Sequence, residues 1–505
     1  MLGFSNFEEG KPLSFSMFLQ SMLHEKILDR TYSLCPVCLR KVEARIVSRN
    51  DVVFLEKDCK EHGQYSTIIW KGEDSWKAWD SLNDWSPDES EGHRFLTSSE
   101  RGCPFDCGLC PLHLRYACVV VMEVTNRCNL NCPICFASSN EADYTFEPDL
   151  STIEEMYSTV LKSGCDSSKP AIQLSGGEPT IRDDLPEIVS IGKRLGFDCI
   201  MVNTNGIRIA DDPDYLTALR ESGCDIVYLQ FDGVTDEVYR STRGRDLMET
   251  KMRAIENSME QGMGVVLVPT IIRTVNFDQL GAIIDFAKHW MPTVRGVHFQ
   301  PISFFGRWPT HLRREERITV PEIIKEIETQ TSGEVPVESF VPVKSGMGCE
   351  AHCSFTHLSF VKKDGTLHPL TRFPRKPIDR KSPNENGDPK HAREQIKEFW
   401  KSVDKESAKE CSCKWTFASF NDPDSFKRRY LSISGMPFQD VMNLETRRLK
   451  KCCVQVVTPE GRMIPFCAFN VTNENGESLY REDALSRVSK SKLESYDDIP
   501  LKNDE

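Results

Sequence analysis

The sequence lacks any apolar run near the ~18 residues that a membrane-spanning helix requires, and its longest apolar stretches, such as 117–121, are the length of a strand. It also lacks an excess of positive charge. With a net charge of −13 over 505 residues, a nucleic-acid binder working by phosphate neutralisation is excluded, and no nucleic-acid partner is expected. The opening residues, MLGFSNFEEG, contain no basic segment followed by an apolar one, so export is not expected and a cytoplasmic protein is. Global disorder is excluded as well, since 39% of residues are hydrophobic and 28% charged. The length suits two or three domains.

Cysteine, by contrast, is abundant. Twenty cysteines in a chain expected in a reducing compartment do not read as a disulfide framework. Most fall in clusters: Cys35, Cys38 and Cys59; Cys103, Cys107, Cys110 and Cys118; Cys128, Cys132 and Cys135; and, late in the chain, Cys349, Cys353, Cys411, Cys413, Cys452, Cys453 and Cys467. Cys165, Cys199 and Cys224 stand alone in helix or strand patterns, where a thiol is an inert packing group. The clustered ones point to metal.

Residues 1–100 form an N-terminal region with a Cys/His module and a stretch containing Trp70, Trp76, Trp79 and Trp85, read as packing residues. Residues 101–116 are a cysteine loop. From 117 to 308, apolar runs at 117–124, 171–174, 198–202, 225–231, 264–271 and 296–300 alternate with helical periods at 152–162, 183–195, 213–222, 246–261 and 276–289. Six strand–helix units in one direction make an α/β fold, a partial parallel (β/α)6 barrel. Residues 309–505 form a C-terminal region, with a helix expected over 309–330 and a surface insertion over 376–396. The last stretch, from about 484, is charged and expected to fray.

Directly after the first barrel strand comes Cys128-x3-Cys132-x2-Cys135, in TNRCNLNCPICFA. Three thiolates at this spacing can hold three irons of a [4Fe–4S] cluster and leave the fourth open to a ligand. Ser175, Gly176, Gly177, Glu178 and Pro179 follow the second strand; glycines admit close backbone approach, and Glu178 can accept from an ammonium group. The pair of motifs, in this order and on these strands, resembles the radical S-adenosylmethionine (SAM) superfamily. The resemblance implies a cluster on Cys128, Cys132 and Cys135, with SAM on its open iron and the GGE turn at the SAM amino group. Further polar residues fall at the ends of later strands, where barrel sites assemble: Asn203, Thr204 and Asn205, then Gln230 and Asp232, Thr270 and Arg273, and Gln300. Arg243 is a candidate for the SAM carboxylate.

A second CxxxCxxC, on Cys103, Cys107 and Cys110, has no strand before it and no GGE turn after it; with Cys118 it makes a four-cysteine site for an auxiliary cluster or for zinc. Cys35-x2-Cys38 and Cys59-x2-His62 form two knuckles with the spacing of a closed tetrahedral single-metal site, and the histidine tilts the choice between zinc and a rubredoxin-like iron toward zinc. A further auxiliary cluster is expected from Cys349 and Cys353 with Cys453 and Cys467, since cluster ligands often come from distant segments.

The whole ordered set, CPVC…CKEHG, CPFDCGLC, EVTNRCNLNCPICFA, SGGEPT and KKCCVQ…GRMIPFCAFN, resembles the archaeal tetraether lipid synthase group of radical SAM enzymes, a group also labelled as pterin methyltransferases. That resemblance implies several [4Fe–4S] clusters, one mononuclear metal and a low-potential electron donor. The substrate it implies is an isoprenoid diether phospholipid, whose terminal methyl carbons are joined through a 5′-deoxyadenosyl radical. The alternative substrate is a dihydropterin precursor of methanopterin, and a non-catalytic electron-transfer protein is the reading of another class. Arg307, His311, Arg313, Arg314 and Arg317 are candidates for anionic head groups in a peripheral contact with the membrane face.

Overall fold

Antiparallel pairing builds the N-terminal layer. Four antiparallel strands, β1 (Lys26–Leu34), β2 (Lys41–Arg49), β3 (Val52–Cys59) and β4 (Gly63–Lys71), pair in chain order. On β3 the period of two turns Val53, Leu55, Lys57 and Cys59 to the covered face. Lys57 is therefore buried, and its ammonium donates to the Leu34 carbonyl at 2.8 Å and to that of Val441, docking the layer onto the C-terminal region. The protein is described here from a computed structural model covering residues 25–83, 95–164, 169–309, 311–312, 314–343, 350–374 and 429–486. Trp85, Cys165, Arg313, Cys349, Cys411, Cys413, the 376–396 insertion and the charged tail beyond 486 lie outside the described residues.

The expected barrel strands form as β5 (Val119–Thr125), β6 (Ala171–Gly176), β7 (Ile200–Thr204), β8 (Ile226–Gln230), β9 (Gly264–Val268) with the short β10 (Thr270–Ile271), and β11 (Val294–Pro301). Helices return the chain between them. In Leu150–Lys162, Asp149 caps the first turn by accepting from the Thr152 amide, and Ile153, Met156, Tyr157 and Val160 make one buried stripe. Alternation along the strands sorts the side chains again. One set (Ala171, Cys199, Met201, Ile226, Tyr228, Val266 and Val268) packs together as a core cluster of its own. Two residues further along the same strands, Gln173, Asn203 and Gln230 line a cavity at the C-terminal ends.

The sheet does not stop at β11. β14 (Tyr430–Gly435) adds parallel to β11, β15 (Val454–Val457) adds parallel to β5, and β12 (Phe355–Val361), β13 (Leu367–Pro369) and β16 (Met463–Pro465) pair antiparallel at the margins, giving a 12-stranded sheet. The C-terminal region is thus woven into both margins of the barrel. The expected helix over 309–330 forms only at Val320–Gln330, where Thr319 and Glu322 make a capping box. No helix among the described residues is long and apolar enough to cross a membrane.

Glu123 on β5 is 2% exposed and is paired bidentately by Arg481 Nη2 at 2.7 and 2.7 Å, a link across the whole chain. Removing one partner of such a pair leaves an uncompensated buried charge. Arg481→Met is expected to lower unfolding free energy by ~3–5 kcal/mol in denaturant titration, and adding Glu123→Met to recover most of it.

Candidate active site

The loop after β5 carries the three cysteines, and its shape is set by side chains that grip its backbone. Asn140 Oδ1 accepts from the Cys128 amide at 3.0 Å, while Asn140 Nδ2 donates to the Cys128 and Leu130 carbonyls at 3.1 and 3.0 Å. On the other side Arg307 Nε donates to the Cys132 carbonyl at 2.8 Å, and the backbones of Arg307 and Cys135 exchange two hydrogen bonds. A Cβ on Gly306 would stand 2.4 Å from the Cys135 carbonyl oxygen, so this approach requires glycine. Burial pushes the Cys128 thiol up to about 12.

The SGGEPT turn lies against the same loop. The Gly177 amide donates to the Thr125 carbonyl at 2.7 Å and the Glu178 amide to that of Arg127 at 2.9 Å. A Cβ at Gly176 would meet the Thr125 oxygen at 2.0 Å, and one at Gly177 the Arg127 oxygen at 2.1 Å. These glycines allow the close approach of the two loops, and both line the cavity beside them. Glu178 is held on the same seam. Its buried carboxylate accepts from Thr180 Oγ1 (2.6 Å) and N (3.1 Å), Thr204 Oγ1 (2.7 Å) and the Asn205 amide (2.7 Å). Burial raises its pKa against those donors. It ties the turn to β7 while still lining the cavity. Pro179 opens the short 3-10 turn that follows.

Asp232 and Arg243 form a buried pair: Arg243 Nε and Nη2 donate to the Asp232 carboxylate at 2.6 and 2.9 Å, and Nη1 to the Ile134 carbonyl at 3.1 Å. Burial alone would raise the Asp232 carboxyl, but the guanidinium holds it below its ordinary range. Asp232 does not line the cavity; Arg243 does, and it also pairs with Asp232 and holds the cysteine loop. Beneath them Lys251, fully buried, donates to the Asn205 carbonyl at 2.6 Å and to Gln230 Oε1 at 2.8 Å. Sequence reasoning missed Lys251. The signal was its place in the stripe Lys251, Ala254, Ile255 and Ser258, where a cation interrupts an inward helix face.

Together these elements enclose a cavity of about 230 Å³. Cys128, Cys132, Cys135, Ser175, Gly176, Gly177, Glu178, Asn203, Asn205, Gln230, Arg243 and Gln300 all line it, as expected; Gln173, Tyr228, Phe438, Val454 and Phe466 join them. Asn203 Oδ1 is buried there without a hydrogen-bond partner among the described residues, an acceptor facing a space that already gathers three thiols. The donor set fits a cluster with an open iron and a polar cofactor beside it.

The N-terminal knuckles meet. Cys35 Sγ and Cys59 Sγ lie 3.5 and 3.4 Å from His62 Nδ1, and Cys38 Sγ lies 4.0 Å from Cys59 Sγ. A tetrahedral ion with ~2.3 Å bonds to sulfur has edges of about 3.8 Å, so all four groups fit one zinc-sized ion. Cys103, Cys107 and Cys110 line a small cavity with His113, Leu449 and Lys450. Cys118 does not line it; its amide donates to the Cys453 carbonyl at 2.8 Å at the foot of β5. Cys353, Cys452, Cys453 and Cys467 line another cavity, which shares Phe438, Val454 and Phe466 with the barrel one. Of the adjacent pair, Cys452 is a free thiol and Cys453 is disulfide-bonded. Arg307 and Arg317, expected at head groups, turn inward: the first clamps the cysteine loop, and the second is 2.6 Å from buried Asp440.

The description of the radical SAM superfamily matches residues 122–287, and that of the HMPTM N-terminal zinc ribbon domain matches residues 27–71. Over 507 residues the chain is 35% identical to 7,8-dihydro-6-hydroxymethylpterin dimethyltransferase of Methanocaldococcus jannaschii, covering 91% of this chain and 95% of that protein. The chain belongs to the radical SAM superfamily. A second relative, Fe-coproporphyrin III synthase of Methanosarcina barkeri, is 34% identical over 191 residues, 37% of this chain and 45% of that one. Among solved structures, SuiB of Streptococcus suis bound to S-adenosylmethionine aligns with a TM-score of 0.36 and 15% identity, covering 44% of this chain and 48% of that one. None of these is named for lipid synthesis.

Two outcomes test this site. His62→Ala in the full radical SAM chain is expected to remove one equivalent of metal by elemental analysis while leaving iron and sulfide unchanged. Lys251, lowered by burial to about 7 in the fold against ~10.4 unfolded, binds fewer protons folded than unfolded between those values, so its share of stability rises with pH from ~7 to ~10. Lys251→Met should therefore compare most favourably with wild type at pH 6, and lose that advantage by pH 9, in thermal unfolding.

Proposed function

We propose that this radical SAM protein alkylates a reduced pterin of the 7,8-dihydro-6-hydroxymethylpterin class. The observation that carries the reading is the 35% identity to a protein of that name across 91% of this chain and 95% of that one. The cavity agrees with it. Gln173, Asn203, Gln230 and Gln300 bring amide groups to one space beside the Tyr228 ring, a set suited to a flat heterocycle whose edge alternates donors and acceptors. When bound, SAM and a reduced cluster on Cys128, Cys132 and Cys135 supply the means to take a hydrogen atom from a carbon with no acidic proton. The chain's own part is to hold the cysteine loop between Asn140 and Arg307, to fix the GGE turn through Glu178, and to set Asn205 and Gln230 over Lys251.

A second reading is the joining of terminal methyl carbons of two archaeol-type diether lipids into a tetraether. What favours it is the apolar wall of Phe438, Val454 and Phe466, shared by the barrel cavity and the cavity of Cys353, Cys452 and Cys467. An alkyl chain suits such a wall better than a pterin does. Either reaction needs a low-potential electron donor.

Reconstituted, reduced protein given SAM is to be incubated with the dihydropterin in one arm and with an archaeol-type phospholipid, deuterated at its terminal methyls, in the other. An alkylated pterin with 5′-deoxyadenosine formed in that arm is the expected result, the added carbon coming from a second SAM, released as S-adenosylhomocysteine, or from an added methylene carrier. Deuterium in 5′-deoxyadenosine together with a tetraether, and an unchanged pterin, would replace the first reading by the second. Cys132→Ala is expected to abolish SAM cleavage in both arms.

A further inference from the structure

Arg448 is buried beside the C-terminal cysteines, at 8% exposure, and points both arms of its guanidinium at a single sulfur. Its Nε and Nη2 each donate to Cys353 Sγ at 3.2 Å, and Nη2 also reaches the His352 carbonyl at 3.5 Å. The arm is braced from behind. Glu350 Oε2 lies 3.5 Å from Arg448 Nε, and Glu350 is itself fixed by Asn83 Nδ2 at 2.9 Å and His352 Nδ1 at 2.8 Å. His352 in turn has its Nε2 3.0 Å from the Trp76 carbonyl and its ring stacked on Trp76 at 4.9 Å. A chain of fixed contacts running back to the helix Glu73–Asp80 thus aims a guanidinium at sulfur.

A neutral thiol is a weak acceptor and would leave most of that guanidinium's hydrogen-bonding capacity unused. The aim makes sense for a sulfur that carries charge. Cys353, Cys452 and Cys467 are free thiols on one cavity, a donor set that fits an iron–sulfur cluster. We propose that Arg448 is a positioning residue that sets the reduction potential of a cluster held in this cavity, by stabilising its more negative, reduced state. The proposal rests on the reading that these cysteines hold a cluster. It does not depend on which substrate the barrel takes. Hydrogen bonds to cluster sulfur and nearby positive charge both raise a potential, because one-electron reduction adds negative charge to the cluster.

The test uses the full reconstituted chain, with iron and sulfide counted and each cluster followed by EPR during a potentiometric titration. The signal of this site is the one that Cys467→Ala removes. Arg448→Gln is expected to keep the iron count and move that signal's midpoint to a lower potential. Arg448→Lys, which keeps the charge but not the fork, should fall between. The signal that Cys132→Ala removes should not move in either variant. A full iron count with an unmoved midpoint in Arg448→Gln would overturn the proposal. So would loss of the cluster in both variants, which would make Arg448 a structural residue. If Cys467→Ala removes no iron and no signal, the cluster reading itself has failed, and the proposal goes with it.

Discussion

The backbone contact between the cysteine loop and the GGE turn is the constraint on which the barrel mouth depends. Two amides, Gly177 and Glu178, donate to the Thr125 and Arg127 carbonyls, and no Cβ fits at either glycine of the turn. From that seam a ring of contacts runs round the mouth. Glu178 reaches β7 through Thr204 and Asn205; Lys251 ties Asn205 to Gln230 on β8; Gln230 donates to Asp232; and Arg243 returns from Asp232 to Ile134 in the cysteine loop. Each member is buried or half-buried and has its partner, so the loss of one unsatisfies its neighbours. A site that must keep three thiols in place when no metal bridges them needs such a ring.

The C-terminal region completes the barrel rather than sitting beside it. β15 runs parallel to β5 in the register Val454 to Val119, and this brings Cys452 and Cys453 to the foot of the strand that leads into the cysteine loop. β14, at the other margin, pairs with β11 and carries the chain toward Met436 and Phe438, which line the cavity of Cys353 and Cys467. Closing a loop of several hundred residues costs only slightly more than closing a short one, so distant segments can share a site cheaply. The ribbon is held by the same region, through Lys57 to Val441 and through Asn473 and Glu474 to the carbonyls of Val37 and Pro36 at the first knuckle.

What was legible in the sequence was whatever repeats or is spaced by short-range geometry. The six strands between 117 and 301 announce themselves as apolar runs, and the CxxxCxxC, SGGEPT and two-knuckle patterns each lie within one loop or one pair of turns. What was not legible depends on pairing between distant segments. Nothing in the composition of 430–435 or 454–457 distinguishes a barrel strand from any other short apolar run, since parallel pairing leaves no local mark. For the same reason Arg307 and Arg317 read as a solvated basic face: their partners, the Cys132 carbonyl and Asp440, stand 175 and 123 residues away. The partners of Glu178 were not legible either, because its motif names the residue but not the direction of its carboxylate, which the neighbouring Thr180 and Thr204 hydroxyls decide.

Each cysteine cavity has a cation of the chain's own beside it. Arg243 stands at Cys132, Arg448 at Cys353, and Lys450 lines the cavity of Cys103, Cys107 and Cys110. In a chain whose net charge is −13 this placement runs against the overall balance. The reason is electrostatic. Thiolates gathered in one place repel one another, and burial pushes the Cys128 and Cys353 thiols up to about 12. A guanidinium is suited to the task because it is weakly hydrated and keeps its charge when buried, while an ammonium in the same position, as at Lys251, is driven toward neutrality. Arg243 and Arg448 are both buried against cysteine sulfur and both keep their charge, their pKa values raised, against the effect of burial, by the anionic groups around them.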